Sequence, residues 1–311
     1  MDKKKWITMA VAVVLLIGLV LGILAITGAF GPAKVGLLLR REKGAWNAYH
    51  RLLEQELVAA QYQVQRYTAG DDQSTQTRQV QTLLKEGCRT FVIEPVDTES
   101  AGNLLQILEK AGASVVFINY MPQQLEQYPK FSYVGFDSAQ AGQLQAQIIA
   151  GVASRANHNG DGELSYAVLA EDENTVHMQG FESALENAVC LESQVCGSDT
   201  EKAEQQCRLF LSRYGRDMEI VLCGADALVQ GALAAIEDGG RKVGEDILLI
   251  GTNATEASLQ LVQEGKLTGT LMGDTHTAVQ QVLQLLESRK QVIFHAQYIA
   301  VDQKNIGAYI Q

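Results

Sequence analysis

The most recognisable chemistry lies in a short loop of oxygen-bearing side chains near the middle of the chain. In the stretch NHNGDGELS, such residues alternate; they are Asn157, Asn159, Asp161, Glu163 and Ser165. Gly162 stands sixth, where an EF-hand calcium loop needs a sharp turn. The twelfth position of such a loop is a bidentate glutamate, but here it is Val168, which is apolar. The spacing predicts a calcium site that lacks one ligand of its own, with an Asn/Gly-rich turn that holds no metal as the alternative.

A second group of polar side chains stands where predicted strands end. Short β-rich runs such as VGLLL, TFVIEP and SVVFIN alternate with helical patterns, which predicts α/β lobes with parallel sheets and helices on both faces. Ligands of such sheets gather at the carboxyl ends of the strands. The polar positions there are 40–46, Glu94, Asn119, Asp137, 172–174, 224–226, Asn253 and Asp274. Four aspartates are predicted as helix N-caps because each opens a helical pattern; they are Asp97, Asp137, Asp199 and Asp226.

The N-terminal segment differs from everything that follows it. An uncharged apolar run extends from Trp6 to Phe30, behind three consecutive lysines. The run exceeds the roughly 20 residues that a helix needs to cross a bilayer, and lysines at such a flank stay on the cytoplasmic side. We therefore predict a transmembrane anchor or signal segment over 1–31, with the rest of the chain on the extracytoplasmic face of the membrane. Cleavage as a signal peptide is the alternative, since 27–29 are the small residues TGA.

Charge and cysteine content exclude several classes of protein. The net charge is -11, and no Lys/Arg-rich run follows the first five residues, so nucleic acid is not a predicted partner. No C-x-x-C motif supports a zinc or thiol-redox site. A disulfide among Cys190, Cys196 and Cys207 is allowed outside the cytoplasm. Burial of these thiols as small apolar side chains is the alternative.

Nine stretches around the predicted strand ends follow the order of one known family. They are KVGLLL, QTLLKEGCRTFVIEPVDTESAG, ASVVFIN, YVGFDSAQAGQLQAQ, NHNGDGELSYAVL, MEIVLCGADALVQGAL, ILLIGTNATEAS, LTGTLMGD and YIAVDQKNI. They resemble the type I periplasmic binding proteins of the galactose/glucose-binding family, which are substrate-binding components of ABC transporters. The resemblance implies two Rossmann-like lobes joined by three crossovers, which close on a ligand. It places the first lobe at 34–137 plus about 276–294, and the second at 141–272 plus about 298–311.

The same resemblance supplies the missing ligand of the calcium loop. In the family this ligand is a glutamate from a distant strand, and the matching residue here is Glu219 in MEIVLCGAD. The implied ligands are Asn157, Asn159, Asp161, the backbone carbonyl of Glu163, and Glu219. Ser165 replaces a longer amide side chain of the family, so it would reach the metal through water. Asn157 replaces the family's first aspartate, which predicts weak affinity because fewer ligands carry charge.

Most of the ligand contacts that the resemblance implies are altered. Sugar sites combine an aromatic face with planar polar groups. Trp46 matches the family's first-lobe aromatic, and Asn119 matches its strand-end asparagine. Six further contact positions differ, namely Gly44, Met178, Ser198, Ala225, Asn253 and Gly273. Galactose or glucose specificity therefore does not carry over, and a different or larger ligand, or none, is implied. The predicted contacts to a sugar-like ligand are Trp46, Asn119, Asn174 and Asn253, with Asp172, Glu173 and Asp274 as further candidates.

The sequence favours a binding protein over an enzyme or a repressor. The five histidines show no metal-ligand spacing, and nucleophile-elbow, P-loop and dinucleotide-binding motifs are absent. Bacterial repressors share the two-lobe fold but carry a helix-turn-helix where this chain has its apolar run. We predict ligand delivery to an ABC permease, with ligand sensing for a membrane receptor or histidine kinase as the alternative.

Overall fold

The computed structural model describes residues 32–42, 46–152, 157, 159–172, 175–288 and 290–310. These residues form two α/β lobes, each built on a six-stranded sheet. The predicted span from Trp6 to Phe30 lies outside them. Within the described ranges, no helix is both long enough and apolar enough to cross a membrane.

The first lobe contains a parallel sheet covered by helices on both faces. Its strands are β1 (Lys34–Leu39), β2 (Gln63–Thr68), β3 (Thr90–Ile93), β4 (Ser114–Ile118), β5 (Phe131–Phe136) and β11 (Ile293–Ala296). Its helices are α1 (Asn47–Ala59), α2 (Gln73–Lys85), α3 (Gly102–Lys110) and α9 (Thr275–Leu286). The strand order is β11-β5-β4-β3-β1-β2. Leu37 and Leu39 pack with α1 and α9, while Leu38 packs with α2 and α3 on the other face. Because successive side chains alternate between two buried faces, β1 is apolar without interruption.

The second lobe repeats this arrangement with one antiparallel edge strand. Its strands are β6 (Leu164–Ala170), β7 (Ala188–Val195), β8 (Ile220–Cys223), β9 (Leu248–Ile250), β10 (Gly269–Gly273) and β12 (Tyr298–Asp302). Its helices are α4 (Ser138–Ala150), α5 (Thr175–Ala184), α6 (Thr200–Tyr214), α7 (Asp226–Asp238) and α8 (Glu256–Gln263). The strand order is β12-β10-β9-β8-β6-β7, and only the pairing of β12 with β10 is antiparallel among the described strands. Helices α4 and α5 cover one face, and α6, α7 and α8 cover the other.

The described chain passes between the lobes at points that lie side by side. It does so at Asp137 between β5 and α4, at Asp274 between β10 and α9, and at Gln297 between β11 and β12. The N–H of Asp137 donates to the carbonyl of Ala296 at 3.3 Å, and the N–H of Asp274 donates to that of Gln297 at 2.9 Å. The side chain of Gln297 also meets the Gln140 amide. Short segments of this kind at a domain boundary are where a hinge between domains would lie.

Two of the predicted helix caps are confirmed and two are wrong. The carboxylates of Asp137 and Asp199 cap α4 and α6, each accepting the backbone N–H three residues ahead at 3.0 Å. Asp97 instead accepts two N–H groups of a turn, because α3 begins only at Gly102. Asp226 is already inside α7 and is buried. Its carboxylate binds the loop after β9, as described below.

All five cysteines are free thiols, so none of the three considered for a disulfide is bonded. Cys196, Cys207 and Cys223 lie in the core between the second sheet and α6 and α7. Cys88 is buried in the first lobe, and Cys190 is exposed. Burial raises the pKa of the Cys207 thiol to about 12. Cys196 and Cys207 therefore behave as small apolar side chains, as the alternative predicted, whereas for the exposed Cys190 that alternative is wrong.

Candidate functional site

A cleft of about 960 Å³ lies between the carboxyl ends of the two sheets. Its first-lobe wall includes Trp46, Thr98, Glu99, Asn119, Tyr120 and Phe136. Its second-lobe wall includes Glu171, Asp172, His177, Met178, Gln179, Glu182, Thr252 and Asn253. Pockets for small molecules usually enclose about 300 to 1,000 Å³. The cleft therefore has room for a small ligand held by groups from both lobes.

An aromatic cluster forms the part of the cleft nearest the crossovers. The Trp46 indole stacks on the Phe136 ring at a centroid distance of 4.8 Å and an interplanar angle of 20°. Phe136 in turn meets Tyr298 at 5.3 Å, and Tyr49 lies edge-on to Trp46 at 6.2 Å. Because Phe136 covers one face of the indole, a ligand can meet only its other face or its edge. Such a face suits the C–H groups of a sugar ring.

Asn119 is held in one orientation by its neighbours. Its backbone has a φ of 61°, a left-handed conformation that asparagine tolerates better than most residues. Its Nδ2 donates to Oε1 of Glu94 at 2.7 Å and lies 3.4 Å from Nε2 of His50. Its Oδ1 is buried and has no hydrogen-bond partner among the described residues. A buried acceptor of this kind can take a hydrogen bond from a ligand.

The carboxylate of Glu94 lies directly behind Asn119 and away from solvent. Glu94 is only 3% exposed and His50 only 5%. The backbone N–H of Arg40 donates to the second carboxylate oxygen, Oε2, at 3.0 Å. Burial alone would raise the pKa of Glu94, but hydrogen bonds from His50, Asn119 and the Arg40 N–H lower it overall. Glu94 is therefore an ionised, acceptor-only group at neutral pH.

Charged and aromatic groups of the two lobes face each other at the mouth of the cleft. The Arg40 guanidinium lies over the Tyr120 ring, 5.5 Å from its centroid, and pairs with Asp71 at 2.7 Å. Across the cleft, Glu171 accepts a hydrogen bond from the Ser198 hydroxyl at 2.9 Å. Burial raises the pKa of Glu171, and the charge of neighbouring Asp172 raises it further. Burial, followed by the field of Glu171, also raises the pKa of Tyr120.

The second-lobe wall contains a hydrogen-bonded chain whose direction is fixed by its acceptors. Gln145 Nε2 donates to the carbonyl of Gly251 at 3.1 Å and to the Thr252 hydroxyl at 3.0 Å. Its Oε1 must therefore accept, and it lies 2.9 Å from Nε2 of His177. His177 consequently carries its proton on Nε2 when the ring is neutral. This chain ties α5, which carries His177, to α4 and to the loop after β9.

The buried, neutral imidazole of His177 predicts that the folded protein loses stability in mild acid. Burial lowers the pKa of this imidazole from 6.5 to about 4. Because the folded protein then binds fewer protons than the unfolded chain, stability is full above pH 6.5 and falls as the pH drops toward 4. We expect denaturant unfolding at pH 5 to show about 2 kcal/mol less stability than at pH 7.5 from this residue alone. In His177→Gln this pH-dependent loss should shrink, whereas exposed His276→Gln should follow the wild type. Equal losses in all three proteins would contradict the prediction.

Asn253 lies in a loop whose backbone is held by the buried carboxylate of Asp226. The loop has φ angles of 97° at Asn253 and 46° at Ala254, both left-handed. Asp226 Oδ1 accepts the N–H of Thr252 at 3.0 Å, and Oδ2 accepts the N–H of Thr255 at 2.6 Å. The Thr270 hydroxyl also donates to Oδ1, at 3.2 Å. Asp226 thus fixes the loop that presents Asn253 to the cleft.

The predicted calcium loop folds into a turn stabilised by its own side-chain oxygens. Oδ1 of Asn157, Asn159 and Asp161 accepts backbone N–H groups of the loop at 2.7, 3.1 and 2.8 Å. Gly160 and Gly162 have φ angles of 74° and 86°, which allow the turn. Within the described part of the chain, no group of three or more His, Cys, Asp or Glu side chains is arranged to hold a metal ion. A metal here would therefore need asparagine amide oxygens and backbone carbonyls of the loop in addition to carboxylates.

Glu219 lies beside the end of this loop. It is fully buried, and its Oε2 accepts the N–H of Ser165 at 3.2 Å. The same carboxylate influences the Arg241 guanidinium, whose pKa is lowered mainly by burial and raised by Asp246 and Glu219. Glu219 thus meets the loop at Ser165, its last residue. The loop carries oxygen donors of the kind that Ca²⁺ takes, and Arg241 is an alternative charge partner for Glu219.

Comparison with known proteins shows the family of this chain. The family model of the periplasmic binding protein domain matches residues 36–290. The chain belongs to this family. The D-galactose/methyl-galactoside binding periplasmic protein MglB of Haemophilus influenzae is 26% identical over 269 residues, which cover 77% of this chain and 80% of MglB.

Solved structures of binding proteins share the fold of this periplasmic binding protein. An ABC transporter solute-binding protein from Bacillus halodurans with bound myo-inositol gives a TM-score of 0.77 at 20% identity, covering 90% of this chain and 97% of that one. The fructose-binding periplasmic domain of a hybrid two-component system gives 0.74 at 19% identity, covering 89% and 93%. The predicted two-lobe fold is confirmed. The prediction of a binding protein, and not an enzyme, is likewise confirmed by the family and its named relatives.

Only some of the predicted ligand contacts of this periplasmic binding protein line the cleft. Four of them line the cleft, namely Trp46, Asn119, Asp172 and Asn253. Glu173 and Asn174 lie outside the described residues. Asp274 is not among the residues that line the cleft; its carboxylate caps α9 by accepting the N–H of Thr277 at 3.0 Å. A Cβ atom on Gly273, another altered position, would lie 2.7 Å from the Phe136 ring, so the glycine makes room for the aromatic cluster.

Four residues that shape the cleft of this binding protein were not predicted as ligand contacts, although Glu94 was among the polar strand-end positions. They are Glu94, Tyr120, Glu171 and His177. Glu94 and Glu171 both directly follow a buried apolar strand, and that position was a usable signal because strand ends meet at the cleft. Tyr120 follows Asn119 and could have been found in the same way. His177 had no such signal, since it lies inside a helix whose orientation depends on packing.

Proposed function

We propose that this chain captures a small, uncharged, sugar-like ligand between its lobes on the outer side of the membrane. The observation that carries the proposal is the pairing, in one cleft, of the Trp46 ring with the unpartnered acceptor Oδ1 of Asn119. An aromatic face and a fixed planar polar group are what a sugar needs to bind in one orientation. The related MglB protein is named for D-galactose and methyl-galactoside.

The charge of the cleft argues against an acidic ligand. The described residues that line it include four carboxylates, Glu99, Glu171, Asp172 and Glu182, and no lysine or arginine. Arg40 lies beside the cleft, but its guanidinium already pairs with Asp71. A phosphate or carboxylate on the ligand would be repelled by these groups. Neutral sugars and polyols fit this field, whereas sugar phosphates and uronic acids do not.

A ligand screen tests the proposal directly. We expect at least one neutral pentose, hexose or polyol to raise the unfolding temperature of residues 32–311, because a ligand that binds only the folded protein stabilises it. Calorimetry should then show one site per chain. Trp46→Ala should weaken the affinity at least tenfold, while Gln106→Ala, exposed on α3, should not change it. A panel in which no neutral compound binds, or only acidic ones do, would overturn the proposal.

We assign the ligand to uptake through an ABC permease, with the apolar run from Trp6 to Phe30 as a tether to the outer face of the membrane. The two lobes would close about the crossovers when the ligand binds, and the permease would bind this closed form. The lobes are 34–137 plus about 276–294 and 141–272 plus about 298–311. The similar fold of a two-component sensor domain keeps sensing as the second candidate. Deletion of the gene should abolish uptake of the labelled ligand. Intact uptake with a lost transcriptional response would favour the sensor.

We also propose that the loop at 157–165 binds one Ca²⁺ ion. The side-chain oxygens of Asn157, Asn159 and Asp161, the Glu163 carbonyl and the Glu219 carboxylate would hold the ion, with Ser165 acting through water. Bound calcium would stabilise the loop against opening. With few charged ligands, the site should fall in the weak range of about 10⁻⁴ to 10⁻³ M that is typical of extracellular modules.

The calcium proposal predicts a stability gain that depends on two carboxylates. At 5 mM calcium we expect the free energy of unfolding to rise by about 1 to 2 kcal/mol. Asp161→Asn and Glu219→Gln should each remove that gain, whereas Glu201→Gln, exposed on α6, should keep it. Titration calorimetry without heat, together with unchanged stability of the wild type, would show instead that Glu219 serves protein partners such as Ser165 and Arg241 and no metal.

A further inference from the structure

The orientation of the Asn119 amide is decided by a residue that the ligand does not touch. An amide group can present either its oxygen or its NH₂ to a neighbour, but a carboxylate can only accept. Glu94 Oε1 lies 2.7 Å from the Asn119 side chain, so the NH₂ must face Glu94. The oxygen, Oδ1, then lies on the side of the amide away from Glu94, and Asn119 is one of the residues that line the cleft. It is buried and has no hydrogen-bond partner in the described part of the chain.

The other groups around Asn119 leave it no alternative position. Its backbone N–H donates to the Val134 carbonyl at 3.1 Å, and its carbonyl accepts the Tyr133 hydroxyl at 2.9 Å. The backbone is therefore fixed in its left-handed conformation. Rotation of the side chain would take the NH₂ group away from the buried carboxylate, which would then lose one of its few hydrogen-bond donors.

Glu94 is itself held on both sides, so it cannot turn away from Asn119. The backbone N–H of Arg40 donates to its Oε2 at 3.0 Å, and Nε2 of His50 lies 3.4 Å from its Oε1. In addition, the Gln76 side chain donates to the Glu94 carbonyl at 2.8 Å. Glu94 and its partners come from β1, α1, α2 and the end of β3, which are rigid elements of the first lobe. A site supported by rigid elements keeps its geometry when the ligand binds.

We propose that Glu94 is a specificity-determining positioning residue, which makes Asn119 an acceptor-only contact to the ligand. This inference rests on the proposed function, because it takes Asn119 as a ligand contact. The ligand must then bring an O–H or N–H donor to Oδ1 of Asn119. A methyl ether, a carbonyl oxygen or a deoxy carbon at that point leaves the acceptor buried and unpaired. Sites that bury a polar group in this way reject ligands lacking its partner far more strongly than apolar pockets reject a missing methylene.

The test compares the best neutral ligand of the screen with its monodeoxy and mono-O-methyl derivatives. For the wild type, we expect one hydroxyl whose removal or methylation weakens binding at least about tenfold. In Glu94→Gln the new side chain can donate as well as accept, so the Asn119 amide is free to turn. The preference for that hydroxyl over its methyl ether should fall below threefold, while preferences at the other hydroxyls stay as in the wild type.

Two further variants separate positioning from a general structural effect. Glu94→Asp keeps an acceptor-only group and should retain the preference even where overall affinity falls. Glu109→Gln makes the same chemical change at an exposed site on α3 and should leave both affinity and preference unchanged. Equal weakening of all derivatives in Glu94→Gln, or an unchanged preference, would overturn the inference while leaving the proposed function intact. Absence of binding by the wild type to every neutral compound would overturn both.

Discussion

Replacing Gly180 with alanine is expected to lower the free energy of unfolding by about 3 kcal/mol and to weaken ligand binding at least tenfold. Gly180 lies where α5 crosses α4 so closely that the two backbones touch. A Cβ atom on Gly180 would lie 2.2 Å from the carbonyl oxygen of Ala139, and one on Gly142 would lie 2.1 Å from that of His177. Helix backbones cannot yield locally as a flexible side chain can, so the helices must move apart.

The expected loss of binding follows from what α5 carries. His177 and Met178 line the cleft from this helix, and its displacement would also stretch the hydrogen bond from His177 to Gln145. Alanine has a better helix propensity than glycine by about 1 kcal/mol, which acts against the predicted effect and makes the test stringent. Denaturant unfolding and calorimetry with the best neutral ligand would measure both losses.

A matched control for Gly180→Ala is available in the same lobe. A Cβ atom on Gly307 would meet no heavy atom of the described residues within 4 Å, and Gly307 is exposed. Gly307→Ala should therefore change the free energy of unfolding by less than about 0.5 kcal/mol. Equal stability of the Gly180 and Gly307 variants would show that α4 and α5 do not need their close approach.

Asp226→Ala is expected to destabilise the protein by about 3 kcal/mol and to release the loop that presents Asn253. The variant would leave the N–H groups of Thr252 and Thr255 and the hydroxyl of Thr270 without their shared acceptor. Unpaired buried donors each carry a penalty of about 1 to 3 kcal/mol, although water entering the site would reduce the sum. Because the loop also has left-handed residues, it should not keep its conformation without the carboxylate.

Two companion variants define the origin of the Asp226 effect. Asp226→Asn keeps the size of the side chain but turns an NH₂ group toward N–H donors, so we expect most of the loss to remain. Asp238→Ala removes the same charge from the exposed end of α7, where its pair with Arg208 is a surface ion pair, and should change stability by less than about 1 kcal/mol. Chemical denaturation measures all three. A loss for Asp226→Ala no larger than that for Asp238→Ala would contradict the expected role.

The lobe architecture could be predicted because local patterns and fold rules agree. The run VGLLL must be buried on both faces, and runs of this kind separated by helical patterns allow few arrangements other than parallel α/β sheets. The first residue of a helix was predicted wrongly where the aspartate binds another part of the chain. Asp226 has the residue type of a cap, but the loop after β9 binds its carboxylate. Sequence spacing alone does not show whether an aspartate will accept an N–H of its own helix or an N–H of a distant loop.

Some cleft residues were predicted from their place near the end of a strand, but Glu94 and Glu171 were not chosen although they also follow strands. Asn119 and Asn253 follow strands, and both line the cleft. The partners that orient them, Glu94 and Asp226, come from other elements, so no local pattern connects the pairs. Trp46 was predicted as an aromatic ligand contact, and the structure also shows that Phe136 covers one face of its ring. Side-chain stacking of this kind becomes visible only when the sheet brings distant strands together.

One outer strand of each sheet comes from a single short stretch, since β11 and β12 are separated only by Gln297. Neither sheet can acquire this outer strand until the stretch has been synthesised. Contacts between segments so distant in sequence form slowly, and an unfinished sheet exposes an open edge that invites aggregation. Both lobes therefore gain a strand from the same late-made stretch, and we expect chains that end before residue 293 to be cut by proteases more readily than the full chain.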